Sequence, residues 1–306
     1  MGEEEMKVAA AAYPLDWFES WADYETKIAH WVAEAAAQGA GLLVFPEYGA
    51  MELASLGGRE VAGDLEGALR EVDRHMPAAE AMHARLAAHH GVHILAASGP
   101  VYDVAHAGDR PVNRASLFGP DGPIGHQDKV MMTRFEREDW NVVAGQGLKV
   151  FDTALGRIGI LICYDSEFPL LARAMAEAGA EILLVPSATE ALAGFTRVRV
   201  GAMARALEGQ MVAVHAPVVG HAPWCAGMEE NAGRAAVYGP PDRGFPPTGI
   251  LAEGAMDAPG WVFADVDRAA VAEARADGGV LPFRHWPEQL PQLARVTRQG
   301  RRPDSA

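Results

Sequence analysis

The stretch Arg157-Ile-Gly-Ile-Leu-Ile-Cys163-Tyr-Asp-Ser-Glu-Phe-Pro169 decides how this chain is read. Its first half is an apolar, partly β-branched run without polar alternation, the pattern of a strand buried on both faces. Its second half reads as a turn with Asp165 and Pro169, and about Phe168–Ala178 then reads as a helix. A strand that turns directly into a helix is the unit of an α/β sheet. The carboxyl edge of such a sheet is where side chains from separate strands converge on a ligand. Cys163 stands on that edge. Taken alone it reads first as an inert thiol, since free cysteine is among the most buried residue types.

Two other junctions repeat the layout. Gly41-Leu-Leu-Val-Phe45-Pro46-Glu47-Tyr48 is an apolar strand that ends in a carboxylate, and Gly125-His-Gln-Asp128-Lys129-Val130 ends an extended segment in a lysine. Further strands are expected at Val8–Ala12, Val92–Ala97, Ala115–Phe118, Glu181–Val185, Met211–Val218, Ala235–Tyr238 and Trp261–Val266. Helices are expected at about Asp16–Ala37, Leu65–His89, Ala193–Glu208 and Arg268–Ala276. In the first of these, Trp17, Trp21, Tyr24, Ile28, Trp31 and Ala35 form one apolar stripe and Gly39 supplies the stop. Strand–helix alternation predicts an α/β protein. Tyr238–Gly249, rich in Gly and Pro, reads as a loop. Residues 1–286 are expected to form one domain, and 287–306, ending QGRRPDSA, a polar tail that is partly disordered or touches a partner subunit.

Composition narrows the function. The 306 residues are 49% hydrophobic and carry 26 basic against 41 acidic side chains, a formal net charge of −15. An acidic surface repels nucleic acid and anionic lipid, so neither is an expected partner. No stretch reaches the roughly 20 apolar residues of a membrane span. The start, MGEEEMKVAAAAYP, has acidic residues where a secretory signal carries positive charge, which predicts a cytoplasmic protein. Its two cysteines, Cys163 and Cys225, are then expected to stay reduced.

Glu47, Lys129 and Cys163 together supply what acyl transfer from an amide needs. A thiol of ordinary pKa, about 8.5, is mostly protonated at neutral pH and requires a base or a cationic neighbour. Glu47 can take that proton and return it to the leaving amine, provided burial tunes it. Lys129 offers a fixed positive charge to the oxyanion, a contribution of roughly 3–4 kcal/mol in a dry pocket.

FPEYG around Glu47, HQDKVMMTRFE around Lys129 and GRIGILICYDSEFP around Cys163 resemble, in order, the three signature segments of the nitrilase superfamily of carbon–nitrogen hydrolases. EILLVPSAT at 181–189 resembles the strand and turn after the family's nucleophile helix. RVRVGAMARALEGQ at 197–210 resembles its R-A-x-E-N helix, with Gly209 in place of Asn. The resemblance spans roughly residues 6–270. It implies a four-layer α-β-β-α sandwich, dimerised through its outer helices, and a Glu-Lys-Cys triad working through a thioester without metal or cofactor. It also implies a second glutamate that orients the lysine. Glu136 is the best match, with Glu138 the fallback, and the backbone amide of Tyr164 would complete the oxyanion site. Tyr164-Asp165 follows the cysteine where true nitrilases usually have Trp-Glu, which favours a small amide or carbamoyl substrate, with water as co-substrate. An acyltransferase and a true nitrilase are the alternatives.

Other residues carry less. Trp224 and Thr189 are candidates for the substrate pocket, and Arg134, Arg137 and Arg197 for recognition of a carboxylate. His89, His90 and His93 lack the acidic or cysteine partners of a ligand set and read as a helix end followed by a strand. Cys225 is not expected to be catalytic, and Arg298, Arg301 and Arg302 read as a solvated tail.

Overall fold

A computed structural model describes residues 5–299; the distal end of the tail, 300–306, lies outside the described residues, as do 1–4. The strands are β1 Glu5–Pro14, β2 Leu42–Val44, β3 His93–Leu95, β4 Gly99–Val101, β5 Val112–Gly119, β6 Gly122–Asp128 and β7 Val150–Thr153. They continue as β8 Gly156–Ile160, β9 Ile182–Ser187, β10 Val212–His221, β11 Glu230–Asn231, β12 Ala236–Tyr238, β13 Ile250–Glu253 and β14 Gly260–Asp267. The helices are α1 Trp21–Ala37, α2 Arg59–Ala62, α3 Leu65–His90, α4 Val104–Ala107, α5 Arg134–Glu138, α6 Pro169–Glu177, α7 Leu192–Gly209 and α8 Arg268–Asp277.

The strands form two sheets. In the first, β14 pairs with β1, β1 with β2, β2 with β3, and β3 with β5, which carries β6 along its other edge. In the second the order is β7-β8-β9-β10-β12-β13. The centres, β1–β2–β3 and β8–β9–β10, are parallel. The sheets join where the end of β1 pairs with β10 at Tyr13↔Val218 and Pro14↔Val219.

Side chains alternate across each strand, so each sheet has two faces to cover. Val8, Ala10, Ala12, Leu42 and Val44 from the first sheet share one core with Ile158, Ile160, Ile182, Leu184, Val212 and Val214 from the second. The opposite face of the first sheet, Ala9, Ala11, Tyr13, Leu43 and Phe45, packs on Tyr24, Ile28 and Val32 of α1 and Leu69, Val72 and Met76 of α3. On the outer face of the second sheet a Cβ on Gly159 would strike Met175 of α6 at 2.7 Å, and His215 stacks on Phe195 of α7. The layers therefore run helix, sheet, sheet, helix, the α-β-β-α sandwich expected. Covering both faces explains why the central strands are unbroken apolar runs.

Some boundaries differ from expectation. The first helix starts at Trp21, not near Asp16, because Ser20 caps it by accepting a hydrogen bond from the Asp23 amide. Trp17 thus lies before the helix. Strand β8 stops at Ile160, and Cys163 begins a single 3-10 turn, Cys163–Glu167. β4, β7, β11 and β13 are too short or too polar to stand out in the sequence. The segment 239–249 connects the paired strands β12 and β13, as a loop. The near part of the tail is not featureless: Trp286–Gln289 and Leu290–Leu293 form helical turns. Among the described residues no helix is long and apolar enough to cross a membrane.

Candidate active site

Glu47 follows β2, Lys129 follows β6 and Cys163 follows β8, each just past the carboxyl end of its strand. Their side chains meet. Lys129 Nζ donates to Glu47 Oε1 and to Glu136 Oε2, 2.7 Å in each case. The Cys163 sulfur lies 3.6 Å from the Ala188 carbonyl oxygen and faces the Glu47 carboxylate. The Ala188 amide donates to Glu47 Oε2 at 2.9 Å, so the turn after β9 touches base and sulfur together. Glu47 and Lys129 are each 1% exposed, Cys163 and Glu136 each 4%. An ammonium this deep survives only because two carboxylates hold it.

The two glutamates are not equivalent. Glu136 caps its own short helix: the Thr133 amide and hydroxyl both donate to Oε2 at 2.9 Å, and the Tyr48 hydroxyl donates to Oε1 at 2.9 Å. Burial opposes its charge, yet Lys129 and these donors outweigh burial and hold it below the usual glutamate range. Glu47 has fewer donors. Burial raises its pKa, Lys129 offsets only part of that, and the Glu136 charge pushes it further up. The two environments push the carboxyls apart, Glu136 toward its charged form and Glu47 away from it. Burial also works against the Lys129 charge, but Glu136 and Glu47 outweigh it and hold the ammonium firmly protonated. Burial, and then Glu47, push the Cys163 thiol well above its ordinary value. Burial thus works against the charged form of both members of the Glu47–Cys163 pair.

Backbone geometry sharpens the arrangement. Tyr48 and Cys163, neither a glycine, both have φ of +51°, a left-handed conformation that costs energy, and they follow Glu47 and form the nucleophile position respectively. Ser166 Oγ donates to the Cys163 carbonyl at 2.6 Å, which closes the nucleophile turn. Helix α7 approaches that turn so closely that a Cβ on Gly201 would lie 2.9 Å from the Ser166 carbonyl oxygen. Arg205 donates to that same oxygen at 3.1 Å and pairs with Glu208. On the lysine side, the Gly145 amide donates to the Lys129 carbonyl at 2.8 Å, and a Cβ there would strike Asp128.

Two residues that tie the site together were not assigned roles from the sequence. Asp165, 1% exposed, accepts from the Met131 amide at 2.7 Å, the Ile162 amide at 3.1 Å and the Val130 amide at 3.3 Å. It straps the cysteine turn to the lysine loop; burial raises its pKa to about 7. Asn113, fully buried, donates to Glu47 Oε1 at 2.9 Å. For Asp165 the signal was its place two residues after Cys163 in the turn; Asn113, between Val112 and Arg114, carries none in the local sequence.

Several other expected residues are engaged in contacts of their own. Glu138 is exposed and pairs with Arg134, which leaves Glu136 as the glutamate beside the lysine. Thr189 is adjacent to Ala188, but its hydroxyl is engaged with the Ala232 carbonyl at 2.8 Å. Trp224 packs edge-on against Trp17, 5.3 Å between centroids, with Arg59 over the Trp17 ring. Tyr164 packs on Phe168. Trp140, which the sequence did not mark, is 4.7 Å from the Tyr48 ring. Arg137 binds the Met132 carbonyl and Arg197 pairs with Glu167. Cys225 is fully buried against the Met51 carbonyl, and burial pushes its thiol up to about 12. His89 and His90 end α3 and His93 opens β3. Among the described residues, no group of three or more His, Cys, Asp or Glu side chains is placed to hold a metal.

The carbon–nitrogen hydrolase family profile matches residues 7–276. A probable hydrolase, YhcX, of Bacillus subtilis is 36% identical over 190 residues, which cover 62% of this chain and 35% of that protein. The deaminated glutathione amidase of Yersinia enterocolitica is 33% identical over 144 residues, 44% of this chain and 50% of that one. The chain thus spans half or less of the length of these curated relatives. Among solved structures, Saccharomyces cerevisiae Nit3, a member of branch 10 of the nitrilase superfamily, superposes with a TM-score of 0.69. It is 22% identical, over 89% of this chain and 94% of that one, a likeness of fold.

Proposed function

The chain belongs to the carbon–nitrogen hydrolase family, and from that premise we propose that it hydrolyses a small linear amide or carbamoyl compound through a Cys163 thioester. Glu47 acts as base and acid, Lys129 as oxyanion partner and Glu136 as the anion that holds Lys129. The observation that carries this reading is the Lys129 ammonium 2.7 Å from both carboxylates, with the Cys163 sulfur against one of them.

The cycle follows from the proton positions. Substrate enters with its carbonyl carbon over Cys163 Sγ and its oxygen toward Lys129 Nζ and the Tyr164 amide. Glu47 takes the thiol proton as sulfur forms its bond to carbon, and the carbonyl electron pair moves onto oxygen. Glu47 then gives that proton to the nitrogen as the carbon–nitrogen bond breaks, releasing the amine or ammonia. The thioester remains. A water gives its proton to Glu47 and attacks the same carbon; the second tetrahedral intermediate collapses, the carbon–sulfur bond breaks, and Glu47 returns the proton to sulfur.

Water as acceptor makes the enzyme a hydrolase, and Tyr164-Asp165 after the nucleophile favours an amide over a nitrile. Residues 1–286 act as one catalytic domain in a cytoplasmic homodimer; Leu170, Val200 and Leu207, at 69%, 57% and 45% exposure on α6 and α7, support pairing through the outer helices. The test is ammonia release from ω-amides, N-carbamoyl amino acids, aliphatic amides and nitriles, with and without an added amine acceptor. Hydrolysis of an amide that disappears in Cys163→Ala supports the reading, and activity that survives that substitution overturns it.

A further inference from the structure

We propose that Asn113 is the positioning residue of this site: its main chain seats Lys129 while its side-chain amide holds Glu47 and Glu136. The inference rests on the triad reading above. The Lys129 amide donates to the Asn113 carbonyl at 2.9 Å. Asn113 Nδ2 donates to Glu47 Oε1 at 2.9 Å and reaches Glu136 Oε1 at 3.5 Å. One residue on β5 therefore touches the ammonium-bearing backbone and both carboxylates.

The amide's orientation is fixed by counting hydrogens. Ser98 Oγ accepts from the Tyr48 amide at 2.9 Å and lies 2.6 Å from Asn113 Oδ1. The hydroxyl has one hydrogen, and it goes to Oδ1, which leaves the two Nδ2 hydrogens for the carboxylates. A flipped amide would set its oxygen against two anions. The Tyr48 hydroxyl also donates to Glu136 Oε1, so a closed circuit runs from Tyr48 through Ser98, Asn113 and Glu136 back to Tyr48. Ser98 and Asn113 are both fully buried, where an oriented dipole acts at low dielectric and a missing partner is costly.

The donor is neutral, and that matters. A second cation would hold Glu47 permanently ionised, and a third carboxylate would make the cluster too negative to keep its base charged. The titratable groups facing Glu47 are Lys129, Glu136, Cys163, Tyr48 and Asp165. Each of them stays in place when only Asn113 changes. A donor to the charged form favours that form, so loss of the amide raises the Glu47 pKa and moves the acidic limb of kcat/KM to higher pH.

The experiment measures kcat, KM and the pH profile on a substrate the wild type hydrolyses. It also follows the rate of Cys163 alkylation by iodoacetamide and thermal unfolding, for Asn113→Ala, Asn113→Asp and Ser98→Ala. A hydrogen bond to a charged group predicts a loss in kcat of about 10- to 100-fold for Asn113→Ala, with KM within about threefold and the limb raised by roughly half to one pH unit. Asn113→Asp falls further, although it is nearly isosteric, and Ser98→Ala lies between it and the wild type. Alkylation slows in the same order. An acidic limb and alkylation rate that stay put in folded Asn113→Ala overturn the inference, even if melting temperature drops. Should both Asn113 variants fail to fold, the same null result in Ser98→Ala overturns it. Activity that needs Cys163 but ignores Asn113 removes this inference alone; activity that does not need Cys163 removes the triad reading first.

Discussion

Replacing Lys129 by Met keeps the length of the side chain and deletes the ammonium between Glu47 and Glu136. Both carboxylates then face each other in a site only a few per cent exposed. Two like charges about 4 Å apart repel by roughly 4 kcal/mol at an effective dielectric near 20, and removing one partner of a buried pair costs about 3–5 kcal/mol in measured cases. The variant escapes by taking up a proton. Lys129 is the largest influence lowering the pKa of either carboxyl, by charge and by hydrogen bond; without it both rise. A carboxyl whose folded pKa exceeds its unfolded value, near 4.3, contributes fully below that value and loses its contribution as pH climbs through the folded pKa. The destabilisation of Lys129→Met is therefore smallest near pH 4.5 and grows to about 3–5 kcal/mol by pH 8. For a chain of this size that is a fall in melting temperature of roughly 5–8 °C at pH 8. Urea unfolding of wild type and variant at pH 4.5, 6 and 8 measures it. A stability difference that is small at pH 8, or does not change with pH, refutes the claim that this ammonium neutralises both glutamates.

Three further outcomes follow from the same geometry. Glu136→Gln removes the neighbouring charge that raises Glu47, so the acidic limb of kcat/KM moves to lower pH while kcat falls by about 10- to 100-fold; a pH–rate profile reads both. Asp165→Asn turns one of its oxygens into a donor facing backbone amides, which lowers stability by about 1–3 kcal/mol in denaturant titration and slows Cys163 alkylation. Cys225→Ala, at a fully buried position against the Met51 carbonyl with no hydrogen bond to Glu47, Lys129 or Cys163, retains hydrolytic activity within about twofold, and intact mass after brief iodoacetamide treatment shows one adduct on the wild type and none on Cys163→Ala.

The sequence was most informative where burial is two-sided. Val8–Ala12, Gly41–Phe45 and Glu181–Val185 read as strands because helices and a second sheet cover both faces, leaving no polar alternation. The convergence of Glu47, Lys129 and Cys163 was legible from position: each follows an extended segment, at a strand's carboxyl end, and such ends gather. What escaped the reading depends on long-range partners. Asn113 precedes the apolar part of β5, so the expected strand began at Ala115 and left it out; its role depends on Ser98 and Glu47, distant along the chain. Asp165 was visible as a turn residue, but its strap to Met131 joins segments 34 residues apart. Trp17 matched the helical period and still lies outside the helix, because the Ser20 cap overrides periodicity. The contact of Trp224 with Trp17 joins segments far apart in the chain, so no local pattern shows it.

The need for two glutamates follows from where charge sits through the proposed cycle. At rest the site holds one ammonium, two carboxylates and a neutral thiol. After attack it holds the ammonium, the Glu136 carboxylate, a neutral Glu47 acid and the oxyanion, and the net charge has not changed. Conserving charge is what a site this closed requires, because little water is present to solvate a new one. The ammonium exchanges its bond to Glu47 for one to the oxyanion, so its attraction is realised more strongly in the transition state than before it. A lone Glu47 would hold all of the lysine's attraction at rest and be a weak base for it. Glu136, held toward its charged form by Lys129 and then by Thr133 and Tyr48, shares that attraction and pushes the Glu47 pKa upward. In the proposed cycle the fixed anion thus adds to the effect of burial in making the mobile one more basic, and it keeps the lysine charged at the moment Glu47 becomes neutral.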